Sequence, residues 1–73
     1  MIRYHLMTLM EQKSFRDGVK ITLKDVALAT DIHRATLSRM VNMQHCNVTT
    51  ETIDRLCTYF KVPVEQLIEH VPE

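Results

Sequence analysis

The sequence predicts an all-α fold, a compact five-helix bundle forming one domain over residues 1–73, and three observations predict it. Hydrophobic residues make up 45% of the 73-residue chain and glycine occurs once, a composition suited to a packed helical domain rather than a disordered segment. Apolar residues recur at the helical period along most of the chain. Over residues 23–42, LKDVALATDIHRATLSRMVN, that pattern stops and restarts at the spacing of two short helices joined by a tight turn.

Each element follows from its residues. Ile2, Leu6, Leu9, Met10 and Lys13 recur at helical spacing, so a first helix is expected over residues 2–14, with Tyr4 and Met7 widening its apolar surface. Residues 15–21 read as a connection, Asp17-Gly18 being its turn signal and Phe15, Val19 and Ile21 its anchors into the core. Thr22 caps a second helix over residues 23–30, and Asp25 serves as a shortened capping-box acid. Val26, Ala27 and Thr30 form the inner face of that helix, and the small Ala27 falls where two helices would cross.

Ile32 occupies the turn. A third helix over residues 33–42 turns Leu37, Met40 and Val41 inward and begins with His33 where Ser or Thr would cap better, a weakness of about 0.5–1 kcal/mol. Residues 43–48 form a loop. Thr49 caps a fourth helix, with Glu51 in the first turn where the helix dipole favours an anion. Ile53, Leu56, Cys57 and Phe60 then make a core stripe. Pro63 separates a short fifth helix, residues 63–70, which presents Val64, Leu67, Ile68 and Val71. No strand is expected.

Several function classes fall away. There is no run of about 18 apolar residues for a membrane span, and the start, MIRYHLMTLMEQK, is too often interrupted by charge for a signal peptide. A cytoplasmic protein with no membrane partner is expected. Cys46 and Cys57 then read as free thiols, one in a loop and one in the core. With His33 and His45 they lack the close paired spacing of zinc ligands, so no metal is expected. The chain carries neither a Gly-rich phosphate loop nor an HExxH motif, and no Ser-His-Asp arrangement can be identified. The expectation is a protein that is not an enzyme, with no cofactor and no small-molecule ligand.

Net charge is zero, but its distribution is uneven. Residues 1–45 hold seven Lys or Arg against four Asp or Glu, a balance of +3, whereas residues 46–73 hold two against five, a balance of −3. No acid lies between Asp31 and Glu51, a window that contains His33, Arg34, Arg39 and His45. Because charges act locally within a Debye length of roughly 8–10 Å, one basic face and one acidic end are expected. On the outer side of the third helix, His33, Arg34, Ala35, Ser38, Arg39 and Asn42 form a stripe able to reach phosphates and base edges.

These residues resemble the helix-turn-helix of the Cro/cI-type (XRE) transcriptional regulators of bacteria and phages. Ala27, Ile32, Leu37, Ser38 and Met40 fit the family's small, apolar and hydroxyl positions. Asp31 stands where the family usually has Gly, and Leu23 where it often has a phosphate-binding Gln. Asp tolerates the left-handed backbone better than most residues, whereas Leu23 removes one phosphate contact. Downstream, NVTTETIDRLCTYFKVPVEQLIE resembles the family's two closing helices, with Lys61 where a helix-ending Gly is common.

The resemblance implies a lambda-repressor-like DNA-binding domain: a sequence-specific regulator of transcription, acting as a repressor on double-stranded DNA, with residues 33–42 in the major groove. His33, Arg34, Ala35 and Arg39 are the expected base contacts, the guanidiniums through bidentate bonds and the Ala methyl against a thymine methyl. Thr22, Lys24, Thr36, Ser38, Asn42, Gln44, His45 and Asn47 are the expected backbone contacts. A homodimer is expected, through the fifth helix or the broad face of the first, because one such domain meets only a few base pairs. The alternative is a protein-interaction or antitoxin-like helix-turn-helix with weak or no DNA binding, which zero net charge and Leu23 would suit.

Overall fold

Leu6, Leu9 and Met10 share one helical face and are buried, which makes the first helix the floor of the core. The computed structural model describes residues 1–42 and 46–72. Among these the chain forms β1 (Ile2–Tyr4), α1 (Leu6–Asp17), α2 (Leu23–Thr30), α3 (Arg34–Val41), α4 (Thr50–Phe60), α5 (Val64–Leu67) and β2 (Ile68–His70). Leu6, Val26, Leu37, Met40, Leu56 and Leu67, one or more from each helix, meet with no exposure at all. Among the described residues no helix is long and apolar enough to cross a membrane.

The two ends of the chain correct the expectation of helix there and of no strand. Ile2–Tyr4 pairs antiparallel with Ile68–His70, in the register Ile2 with His70, Arg3 with Glu69 and Tyr4 with Ile68. Ile and Tyr suit a pleated, half-buried surface, and the ladder is supplied by residues from the far end of the chain, which a local periodicity cannot reveal. The fifth helix accordingly stops after four residues, with Leu67 buried, Ile68 half-buried and Val64 exposed.

The first helix also runs past its expected end, to Asp17. It closes on Gly18, whose φ of 71° lies in the left-handed region and whose N–H donates to the Ser14 carbonyl at 3.0 Å. Continuation of the helix explains why two of the three expected core anchors fail. Phe15 lies nine residues after Leu6, about two and a half turns on, and therefore points away from the core; it is 93% exposed. Val19 is 59% exposed. Only Ile21 packs against the core, its N–H held by the Ser14 hydroxyl at 2.8 Å. Lys13 ion-pairs with Asp17 at 2.9 Å and lies 5.0 Å from the centre of the Tyr59 ring, joining α1 to α4.

Capping fixes the remaining ends as the sequence predicts. Thr22 and Asp25 form a complete capping box, the Thr hydroxyl accepting from the Asp25 N–H at 3.2 Å and the carboxylate accepting from the Thr22 N–H at 2.9 Å. Those bonds hold the Asp25 carboxyl below its ordinary range, first through the Thr22 N–H and then through its hydroxyl. Thr49 accepts from the Thr52 N–H at 3.1 Å and starts α4. Asp31 ends α2 at φ 58° and Lys61 ends α4 at φ 57°.

The left-handed caps give paired expectations. Gly18→Ala, which meets open space but a strained φ, should lower stability by about 1 kcal/mol, and Lys61→Gly should raise it by about 0.5–1 kcal/mol. Midpoints of urea unfolding measure both, and equal midpoints for all three proteins would contradict the assigned conformations.

Candidate nucleic-acid interface

Burial of one side of α3 dictates what its other side offers. Leu37 and Met40 are fully buried against Val26 of α2, and Ile32, in the turn between the helices, is buried as well. Thr30 is buried at the end of α2 and satisfies its own hydroxyl by donating to the Val26 carbonyl at 2.7 Å. With the inner face consumed, Arg34, Ala35, Ser38, Arg39 and Asn42 fall within an arc of about 140° at 100° per residue on the outside. Arg34, Ala35, Arg39 and Asn42 are exposed, and Ser38 is half-buried.

His33 precedes the helix at the N-cap position, exposed and without a side-chain cap bond, as its sequence suggested. Thr36 departs from the stripe. It sits about 200° round from Arg34 and lines a cleft of about 230 Å³ between the turn and the start of α4, together with His33, Thr49, Thr52 and Arg55. Asn42 donates to the Ser38 hydroxyl at 3.4 Å, so these two polar groups brace each other on the outer face.

At the start of α2, Thr22 and Lys24 are both exposed. The Thr22 N–H and hydroxyl both donate to the Asp25 carboxylate at 2.9 Å while the hydroxyl accepts from the Asp25 N–H, so the Thr22 side chain is engaged in its own cap. Asn47 is exposed in the stretch between α3 and α4. Gln44 and His45 lie outside the described residues.

Charge pairing separates two kinds of arginine. Arg55 works inside the motif: one nitrogen donates to the carbonyls of Thr30 and Asp31 at 3.3 and 3.2 Å, and the other pairs with Glu51 one turn earlier on α4. It thereby neutralises the carbonyl end of α2 and fixes the turn to α4. The Glu51–Arg55 spacing on one helix was a legible signal for half of this arrangement; the reach to α2 was not. Arg34 and Arg39, by contrast, form no ion pair among the described residues. Their positive potential faces outward.

Other chemistry is sparse. Among the described residues no three His, Cys, Asp or Glu side chains are grouped to hold a metal ion. Cys46 and Cys57 are free thiols, both half-buried, and burial followed by the nearby Asp54 and Glu65 charges pushes the Cys57 thiol up, away from the reactive thiolate. The arrangement is that of an outward helix bearing cations, hydroxyls and an amide, set on a turn clamped from behind.

Comparison with protein families agrees with that geometry. The family described as Cro/C1-type HTH DNA-binding domain matches residues 5–73. No curated protein matches the chain.

Removing the clamp should loosen the turn while changing none of the outer-stripe residues themselves. Arg55→Met is expected to cost about 1 kcal/mol, read as a lower urea midpoint, because two helix-end carbonyls and Glu51 lose their donor. An unchanged midpoint would show that solvent replaces the guanidinium at no cost.

Proposed function

We propose, on the premise that the chain belongs to the family of Cro/C1-type HTH DNA-binding domains, that it is a sequence-specific regulator of transcription, acting in the cytoplasm as a repressor on double-stranded DNA. DNA binding is the property of the family, and the family is regulatory rather than enzymatic. The observation that carries the finer reading is the outer stripe of α3, where Arg34 and Arg39 are exposed and form no ion pair among the described residues. α3 enters the major groove. Arg34 and Arg39 donate bidentately to guanine or clamp phosphate, His33 donates at the helix start, and the Ala35 methyl meets a thymine methyl.

Backbone contacts flank this reading head. Lys24 and Thr22 at the positive end of α2, Ser38 and Asn42 along α3, Thr36 at the cleft, and Gln44, His45 and Asn47 after α3 are assigned to phosphates. Repression follows from occupancy alone, since a domain seated on a promoter excludes other proteins from it. Two copies bind half-sites about one helical turn apart, which supplies the affinity that a single domain lacks. The dimer surface lies on the fifth helix or on the broad face of the first.

An interaction module of the antitoxin type is the second reading, and one observation favours it: Phe15 and Leu28 are 93% and 76% exposed, large apolar groups with no internal role. The two readings separate in a salt series on a duplex. Contacts to several phosphates make the logarithm of affinity fall with the logarithm of salt at about 0.9 per neutralised phosphate, whereas an inert module shows no shift even at low salt.

Arg39→Ala should cost about 1–3 kcal/mol of binding and relax preference at one base position, measured by selection from random duplexes. Specific binding retained after both Arg34 and Arg39 are replaced by alanine would assign recognition to another face. Mass in solution, measured with and without a palindromic site, should double on the site; a monomer in both states would reject the dimer.

A further inference from the structure

We propose that Tyr4 is a positioning residue for DNA binding: from the terminal sheet its hydroxyl fixes the chain that follows the recognition helix, so that Asn47 is presented to the DNA backbone. This rests on the DNA-binding reading of α3 and adds a residue that touches no nucleic acid. The Tyr4 hydroxyl donates to the Cys46 carbonyl at 3.2 Å, a bond between residues 42 apart in sequence. Burial, and then the neighbouring Cys46 thiol, pushes the Tyr4 hydroxyl above its ordinary range, in the direction that favours the protonated donor.

The mount is stiff. Tyr4 belongs to β1, which is bonded to β2 along its length and tied beyond both ends. The His5 N–H donates to the Leu67 carbonyl at 2.7 Å, and the Val71 N–H donates to the Met1 carbonyl at 2.8 Å. The His5 imidazole contacts the Glu69 carboxylate at 2.9 Å on the sheet's outer side. Tyr4 itself packs against the core.

What the mount holds is short. Cys46 is fixed by Tyr4, and Thr49 is fixed as the cap of α4, so only Asn47 and Val48 lie between the two anchors. Val48 packs against the core and Asn47 is exposed. The backbone that carries this exposed amide is pinned at both sides before DNA arrives, so contact with a phosphate costs less backbone entropy. Tyr4 lies one residue before the span matched by the family, residues 5–73, and its partner Cys46 lies within it.

The test compares the full chain with Tyr4→Phe, which keeps the ring and its packing and removes one hydroxyl. The probe is a labelled duplex carrying the sequence that the wild-type chain selects from a random pool. Loss of the brace should raise Kd roughly 3–10-fold, the size of one net hydrogen bond, and make the salt dependence shallower by about one phosphate. Asn47→Ala should weaken the wild-type chain but be nearly neutral in the Tyr4→Phe background, a coupling that a loss of stability alone would not produce. Insertion of one glycine after Asn47, which lengthens the stretch while Tyr4 stays intact, should weaken binding to a similar degree.

Equal Kd and salt dependence for Tyr4→Phe and wild type, or an Asn47→Ala cost that is the same in both backgrounds, would overturn the proposal while leaving DNA binding in place. Absence of duplex binding by the wild-type chain at low salt would instead overturn the DNA-binding reading, and the brace with it.

Discussion

The direction of α3 depends on one backbone constraint, the left-handed conformation of Asp31 at φ 58°. A non-glycine residue adopts that region at a cost, so the surroundings must over-determine it. They do so from two sides. Ile32, next in the chain, is buried among the core residues, and Arg55 grips the Thr30 and Asp31 carbonyls from α4. Once the turn is set, Leu37 and Met40 can meet Val26, and the opposite side of α3 has no choice but to face outward. A change in this single turn would redirect every side chain assigned to recognition.

Zero net charge is compatible with a nucleic-acid surface because the cations are allotted to different tasks. Lys13, Arg16 and Arg55 are each paired with an acid of their own neighbourhood, and Lys13 and Arg55 also join neighbouring elements. Arg34 and Arg39 occupy the acid-free window of the sequence and form no ion pair among the described residues. Exposed ion pairs of the first kind add little stability each, so the local field, not the sum, decides what the surface can attract.

The terminal sheet solves a different problem. A chain of 73 residues buries a modest fraction of its surface, and loose ends would uncover part of a core that has one to three buried apolar residues from each helix. Pairing Ile2–Tyr4 with Ile68–His70 closes the molecule end to end. A two-stranded ribbon is marginal by itself, and here it is supported because Tyr4 and Ile68, opposite each other in the ladder, both pack against the helical core. The same tyrosine reaches the chain after α3, so closure of the ends and geometry near the outer stripe share one side chain.

The sequence by itself determined the middle of the protein. Helix boundaries at Thr22, Asp31, Thr49 and Lys61 follow from capping chemistry and backbone tolerance, which act within a few residues. The core of α2, α3 and α4 and the outward stripe follow from a period of 3.6 residues. Tertiary structure alone decided the ends, the fate of Phe15 and the partners of Tyr4 and Arg55. Ile2 and Ile68 fit a helical spacing as readily as a strand, and only pairing across the whole chain length selects the strand. Phe15 looked like an anchor because α1 was expected to stop before it; one more turn of helix reversed its direction. Side chains that bridge 24 to 42 positions, as Arg55 and Tyr4 do, answer to proximity that no local pattern encodes.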